Sequence, residues 1–180
     1  VTYGNKFKNG YLGSDLSGTG WGLKFDFIIV HESGHEWFAN SITNKDAADM
    51  WIHEGFTSYA ENLFLDYHYG KRASADYVIG TRKRIKNDKA IIGDYNVNNT
   101  GSSDMYYKAA NMIHMLRQLT DDDSKWRMIL RKLNNNFFHK VVTTHEIEKF
   151  LSDEIGLDLK PLFNQYLRDT RIPVFEYKIL

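Results

Sequence analysis

The stretch IIVHESGHEWFAN, residues 28–40, holds two His-Glu pairs four residues apart within a largely apolar run. An α-helix turns about 100° per residue, so the side chains of His31 and His35 lie on one face, one turn apart. Two neutral imidazoles at that separation can share one Zn²⁺ ion, and zinc enzymes usually take a third protein ligand and leave the fourth position open. Glu32 points about 100° away from His31, so we predict that it is the general base beside the ion rather than a ligand. We expect Glu36, in the second pair, to be solvated or structural.

The third ligand is predicted within a second stretch, DMWIHEGFTSYAENL, residues 49–63. Glu54 follows the second histidine after 18 intervening residues, an interval that holds one turn between two helices. An antiparallel helix could therefore bring Glu54 against both histidines. Glu61, seven residues later, falls on the same helix face and is predicted to accept a hydrogen bond from a ligand histidine, with Asp49 as a weaker candidate. His53 is the alternative third ligand, although Glu54 shares the more inward face of its helix.

Two glycines support a site at this place. Gly34 lies between the two histidines and Gly55 follows Glu54, each inside a helical pattern where glycine costs about 1 kcal/mol relative to alanine. Residues that break a local rule collect at functional sites, so we expect another part of the chain to approach both backbones closely.

Composition excludes several other classes of function. The chain has 180 residues, of which 42% are hydrophobic and 14% aromatic, as is typical of one compact domain with a core. Basic and acidic residues balance at 23 each, so no summed charge attracts nucleic acid, and no apolar run approaches the roughly 20 residues that cross a bilayer. Zero cysteines exclude disulfides and thiolate zinc sites, and fit a reducing or an oxidising compartment equally well.

Two short charge runs are interpreted as structural. RKRIK at 82–86 is interpreted as a solvated helix face, and DDD at 121–123 as a helix N-terminus.

The spacing of apolar and capping residues predicts a mainly α fold. Helices are expected over 26–41, 47–69, 73–88, 104–119, 122–135, 144–155 and 159–168. Residues 1–24 are glycine-rich and are expected to form loops or short irregular strands. At the other end, VFEYKIL alternates in the manner of a strand without a later partner, and the chain begins at Val1, so we expect a piece of a larger protein.

The sequence HESGHEWFAN followed by WIHEGFTSYAE resembles the zinc-dependent aminopeptidases of the membrane alanyl aminopeptidase family, gluzincins with the pattern HExxHxWxGN and then WLNEGFAxYxE. The match spans residues 31–61 without a gap and departs from the pattern at Ala39 and His53. The resemblance implies the helical lobe of a zincin, or thermolysin-like, catalytic domain. It places this domain at 1–172, truncated on its N-terminal side, and the start of a following β segment at 173–180.

The resemblance also implies roles for individual residues. One zinc ion is expected on His31, His35 and Glu54. The segment MYYKAANMIHMLR, residues 105–117, resembles the Tyr-x-Lys-Gly context of the family's oxyanion-stabilising tyrosine, which maps this role onto Tyr106, with Tyr107 as the alternative. The implied activity is hydrolysis of peptide bonds, with Glu32 activating the water, and release of N-terminal amino acids from peptides with a free N-terminus in the full-length parent.

One motif of the family is missing from the chain. The Gly-x-Met-Glu-Asn segment that binds the free α-amine of the substrate would precede Val1, so the 180 residues alone are expected to be weak or inactive. Two alternatives therefore stay open. The parent could be a gluzincin endopeptidase or a hydrolase of another bond, or it could be a non-catalytic member of the family that serves as an interaction scaffold.

Overall fold

Helices make up most of the structure, a computed structural model that describes residues 4–179. Their bounds within these residues are α1 Phe27–Gly34, α2 Trp51–Tyr69, α3 Lys71–Thr81, α4 Tyr107–Thr120, α5 Asp123–Asn136, α6 Thr144–Ile155 and α7 Lys160–Phe163. Two short strands, β1 Ile42–Asn44 and β2 Lys140–Val142, pair in parallel. The mainly α prediction is confirmed, and none of the helices in the described range is both long and apolar enough to cross a bilayer. The division into a domain at 1–172 and a β segment at 173–180 stays a prediction. The two outer ends of these ranges, residues 1–3 and residue 180, lie outside the described residues.

Helix α1 begins where the sequence predicts and ends seven residues early. Asp26 is its N-cap, and the carboxylate of Asp26 accepts a hydrogen bond from the backbone of Ile29 at 3.3 Å. The chain continues over Glu36–Ser41 as a wide π-type turn in which Phe38 has non-helical backbone angles. The carbonyl of Phe38 lies 3.0 Å from Nδ1 of His35, and such local bonds from side chain to backbone compete with the helical ladder.

Helix α2 is the central element, because α1, α3 and α4 all pack against it. Glycines permit two of these contacts. A Cβ at Gly34 would lie 3.0 Å from Cγ2 of Thr57, and a Cβ at Gly55 would lie 2.7 Å from Cβ of Ala109. The expected close approach at both glycines is confirmed, and it brings α1 and α4 onto the two sides of α2.

Two apolar clusters hold these helices together. The larger cluster lies among α2, α4, α5, α6 and α7 and includes Trp51, Phe56, Ile113, Trp126 and Leu151. The smaller cluster joins the N-terminal loop to α1, α2 and α3, and its buried members are Leu16, Phe25, Phe27, Leu65 and Tyr77.

The break before α4 matters for the site. The predicted helix over 104–119 is divided into a 3₁₀ turn, Ser103–Met105, and α4 from Tyr107 onward. The turn is capped by the hydroxyl of Ser102, which accepts from the backbone of Asp104 at 3.1 Å. Tyr106 stands between the two pieces with φ −81° and ψ −80°, and it is therefore carried by a bend rather than by a regular helical turn.

The predicted strands at the two ends are mostly not formed. In the N-terminal region the structure has one isolated antiparallel bridge, between Tyr11 and Ser14. Over the described residues 169–179 no strand forms, and Phe175 and Tyr177 are exposed and stack only on each other, with ring centroids 5.9 Å apart. A strand gains its hydrogen bonds from a neighbouring strand, so the alternating pattern alone is insufficient.

Candidate metal centre

Three side chains from α1, the turn after it and α2 converge on one point. They belong to His31, His35 and Glu54, and their ligand atoms all lie within 4.8 Å of one another. Oε2 of Glu54 is 3.2 Å from Nε2 of His31 and 3.6 Å from Nε2 of His35. The two imidazole rings stand nearly perpendicular, at 84°, with centroids 5.1 Å apart. Within residues 4–179 this is the one group of three or more histidine and acidic side chains arranged to hold an ion.

The remaining nitrogen of each histidine faces away from this point and is bonded. Nδ1 of His31 lies 2.9 Å from Oε1 of Glu61. Nδ1 of His35 lies 3.0 Å from the carbonyl of Phe38, and the hydroxyl of Thr57 is 3.2 Å from the same nitrogen. Each histidine thus directs its Nε2 toward Glu54, and Nε2 of His31 donates a hydrogen bond of 3.2 Å to Oε2 of Glu54, the proton that a bound metal ion would displace.

Glu61 occupies the predicted position behind His31 and has a partner that the sequence did not indicate. The side chain of Glu61 is 1% exposed, and its Oε2 accepts a hydrogen bond of 2.6 Å from the hydroxyl of Tyr77. Tyr77 lies on α3, within residues 73–88, for which the sequence predicts a helix and no functional residue. No motif marks this tyrosine, because its role follows from the packing of α3 on α2.

The charges at the site favour a cation. Burial lowers the pKa of the His31 imidazole, but its hydrogen bonds to Glu54 and Glu61 and their negative charges outweigh burial and raise the pKa to about 9. Burial raises the pKa of Glu54, and the hydrogen bond and charge of His31 overcome this and bring it below its usual value. Two carboxylates thus surround two imidazoles, and a bound divalent cation would be stabilised by the same field.

Two weaker sequence candidates are engaged elsewhere. Asp49 is not brought to a ligand histidine: its Oδ1 accepts hydrogen bonds from Thr144 at 2.6 Å and from the hydroxyl of Tyr95 at 2.8 Å, where it joins α6 and a loop to the start of α2. His53, the alternative third ligand, accepts a hydrogen bond at Nε2 from the backbone N–H of Asn44 at 2.9 Å. Burial lowers the pKa of His53 to about 4, with the charge of His35 acting in the same direction.

The predicted oxyanion donor lies beside this cluster, and the charge of the predicted base acts on it. Glu32 is half-buried and makes no hydrogen bond or ion pair with any described residue, so its carboxylate is free to accept a proton. The ring centroid of Tyr106 lies 6.1 Å from that of His31. Burial, followed by the charges of Glu54 and Glu32, raises the pKa of the Tyr106 hydroxyl to about 12, which keeps it protonated. Tyr107 turns away and packs under the guanidinium of Arg84, with 5.9 Å between Cζ and the ring centroid.

Comparison with known proteins gives one family. The family described as "Peptidase family M1 domain" matches residues 22–166. Among curated relatives, leukotriene A-4 hydrolase of Xenopus laevis is 28% identical over 137 residues, covering 69% of this chain and 22% of the relative. Aminopeptidase B of Rattus norvegicus is 23% identical over 170 residues, covering 82% of this chain and 26% of the relative. The chain therefore spans about a quarter of the length of these relatives.

A solved structure has the same fold. The M1 zinc metallopeptidase of Deinococcus radiodurans, in a mutant form bound to the substrate Tyr-Ser-Ala, superposes with a TM-score of 0.68 at 21% identity. The superposition covers 84% of this chain and 35% of the other. At this level of identity the similarity concerns the helical lobe as a fold, and the site has to be argued from its own residues.

Proposed function

We propose that this chain, which belongs to peptidase family M1, is the zinc-binding lobe of a metallopeptidase that releases amino acids from the free N-terminus of peptides. The observation that carries the proposal is the convergence of Nε2 of His31, Nε2 of His35 and Oε2 of Glu54 within 4.8 Å. Two imidazoles and one carboxylate are a ligand set of catalytic zinc sites, which keep one position open. The substrate class rests on the names of the relatives, which include aminopeptidases.

The residues present fit a zinc ion for a reason that is independent of the family. Nδ1 of each histidine is hydrogen-bonded to an oxygen, of Glu61 or of Phe38, so the Nε2 atoms beside Glu54 are the nitrogens that a metal ion would take in place of a proton. Zinc ligands usually have such outer hydrogen-bond partners, which fix the tautomer and the ring orientation. A zinc ion held by these three side chains would polarise the scissile carbonyl and acidify water at the open position.

Glu32 and Tyr106 supply the proton chemistry in this proposal. Glu32 accepts a proton from the attacking water and passes it to the departing amine. Its carboxylate makes no hydrogen bond or ion pair in the described chain. Tyr106, whose pKa of about 12 keeps the hydroxyl protonated, donates a hydrogen bond to the carbonyl oxygen as negative charge develops on it. The two side chains come from α1 and from the bend before α4, so the packing of both on α2 sets their separation.

The alternatives differ in which substrates they allow. A gluzincin endopeptidase or a hydrolase of another bond would use the same ligands and base. These activities are therefore distinguished by assays of the full-length parent protein. A non-catalytic scaffold has no need of a free base beside an intact set of ligand atoms, so the unbonded carboxylate of Glu32 favours an enzyme. The names of the relatives favour an aminopeptidase among the enzymes.

The proposed activity is tested on the full-length parent protein. We expect it to hydrolyse unblocked aminoacyl amides and to leave the N-acetylated amides intact, because an exopeptidase recognises the free amine. A zinc chelator should abolish the hydrolysis, and added zinc should restore it. Equal cleavage of blocked and unblocked amides would indicate the endopeptidase alternative, and hydrolysis that is indifferent to chelation would contradict the zinc mechanism.

Replacing Tyr106 by phenylalanine tests the oxyanion donor. We expect Tyr106→Phe to lower kcat in the parent protein by about 10²- to 10³-fold, the range measured when one oxyanion donor is removed, with one zinc per chain retained. The matched control is Tyr107→Phe, which removes the hydroxyl of the neighbouring residue under Arg84. Unchanged turnover in Tyr106→Phe, together with a fall in Tyr107→Phe, would transfer the role to Tyr107.

A further inference from the structure

The geometry points to Tyr77 as a positioning residue of the metal centre, which holds Glu61 in the orientation that Glu61 needs to hold His31. The three residues come from three different helices, α3, α2 and α1. Their hydrogen bonds run in series, 2.6 Å from the Tyr77 hydroxyl to Oε2 and 2.9 Å from Oε1 to Nδ1 of His31. This inference rests on the proposed function, since it gives Tyr77 a purpose only if His31 binds a metal ion.

Both oxygens of Glu61 are used, one for each partner. The side chain is buried to 1% exposure, and within the described residues its hydrogen-bond partners are His31 and Tyr77 alone. A buried carboxylate that lost either partner would keep an oxygen without a donor, at a cost of about 1 to 3 kcal/mol or more because the group is charged. The carboxylate is therefore fixed by two donors on opposite sides.

Within the described part of the chain, the hydroxyl of Tyr77 makes no hydrogen bond other than the one to Glu61. Its ring is 1% exposed and packs in the smaller apolar cluster, edge-on to Phe25 with centroids 5.8 Å apart. Glu61 is the one hydrogen-bond partner of this hydroxyl among the described residues. A phenylalanine would fill the same cluster, so the packing requires the ring and the bond to Glu61 requires the oxygen.

The hydrogen bond from Tyr77 acts on His31 by fixing the rotation of the Glu61 carboxylate. The terminal torsion of a glutamate side chain is broad, so a carboxylate bonded through one oxygen rotates readily. The bond from Tyr77 to Oε2 restricts this rotation and keeps Oε1 directed at Nδ1 of His31. That bond in turn holds the imidazole with its Nε2 directed at Oε2 of Glu54, 3.2 Å away, where a metal ion would replace the Nε2 proton. Pre-organisation of this kind raises metal affinity without a new ligand.

The test is Tyr77→Phe in the 180-residue chain, with zinc itself as the probe. We expect the zinc dissociation constant, measured by competition with a chromophoric chelator, to rise about tenfold, the lower end of the range for loss of an outer hydrogen-bond partner. In the metal-free protein the Nδ1–H proton of His31 should shift upfield and exchange faster, because its bond to Glu61 is less well held. This resonance reports the hydrogen bond without any use of catalytic activity.

Tyr59→Phe is the matched control. Tyr59 is also 1% exposed, lies on α2 and loses one buried hydrogen bond, from the indole of Trp126 at 2.9 Å. Thermal unfolding should show a loss of stability in both variants. Zinc affinity and the His31 resonance should change in Tyr77→Phe alone, which separates positioning from a merely structural role.

A double-mutant cycle examines whether Tyr77 acts through Glu61. In a Glu61→Gln background, where the carboxylate is absent, Tyr77→Phe should add no further loss of zinc affinity. Unchanged affinity and resonance in Tyr77→Phe, or an equal tenfold loss in both backgrounds, would overturn the inference. If Tyr77→Phe does not fold, the Nδ1–H resonance of His31 is measured in folded Glu61→Gln instead. A resonance identical to that of the wild type would also overturn the inference. Retention of zinc by His31→Ala is a separate result, and it would contradict the proposed function instead.

Discussion

Glu32→Gln is expected to keep one zinc ion per chain and to lower the turnover of the parent enzyme by about 10²- to 10⁴-fold, the usual contribution of a general base. Glutamine has the shape of glutamate but cannot accept the proton of the attacking water. The substitution should leave the fold intact, because Glu32 has no hydrogen bond or ion pair in the described chain. The measurements are zinc content by elemental analysis and kcat on an unblocked aminoacyl amide.

Glu36→Gln is the control for this prediction. Glu36 belongs to the second His-Glu pair, is exposed and accepts a hydrogen bond of 3.3 Å from the neighbouring side chain of Asn40. We expect Glu36→Gln to leave both zinc content and turnover unchanged. Wild-type turnover in Glu32→Gln would contradict the assignment of the base, and loss of zinc from that variant would show that Glu32 holds the ion.

Helix geometry is the reason that the candidate ligands could be predicted from the sequence. The spacing of His31 and His35 fixes their common face, and the 18-residue interval leaves one short connection before Glu54 returns on α2. The structure brings these side chains together, and their role as ligands stays a prediction. Glu61 follows from the same period of α2. Tyr77 could not be predicted, because its contact depends on how α3 packs and not on a local period.

Local signals also explain which element bounds were predicted. Helix α6 begins and ends as predicted, since Thr143 and Glu146 form a capping box and Gly156 takes the left-handed conformation, with φ of 85°, at its C-terminus. Helix α1 carries no such stop signal, and it ends where the side chain of His35 bonds the carbonyl of Phe38. Strands β1 and β2 were missed, because three residues each are too short for a pattern and their pairing joins distant parts of the chain.

His31→Ala is the second change with a large expected effect. It removes a proposed ligand nitrogen and leaves Glu61 and Glu54 without their shared hydrogen-bond partner. We expect zinc affinity to fall by more than the roughly 10- to 100-fold that follows loss of an outer hydrogen-bond partner, and turnover to disappear with the ion. Truncation of one partner in a buried charged network should also lower the free energy of unfolding by about 3 to 5 kcal/mol, measurable by urea denaturation.

Zinc bound per chain at equilibrium tests the central claim most directly, namely that His31 and His35 hold one ion together with Glu54. The measurement compares the wild-type chain with folded His31→Ala, and with His53→Ala as the control for the alternative ligand. We predict one ion in the wild type, none in His31→Ala at the same free zinc concentration, and one in His53→Ala, whose Nε2 is occupied by the backbone of Asn44. Full zinc in His31→Ala, or its loss from His53→Ala, would contradict the ligand set.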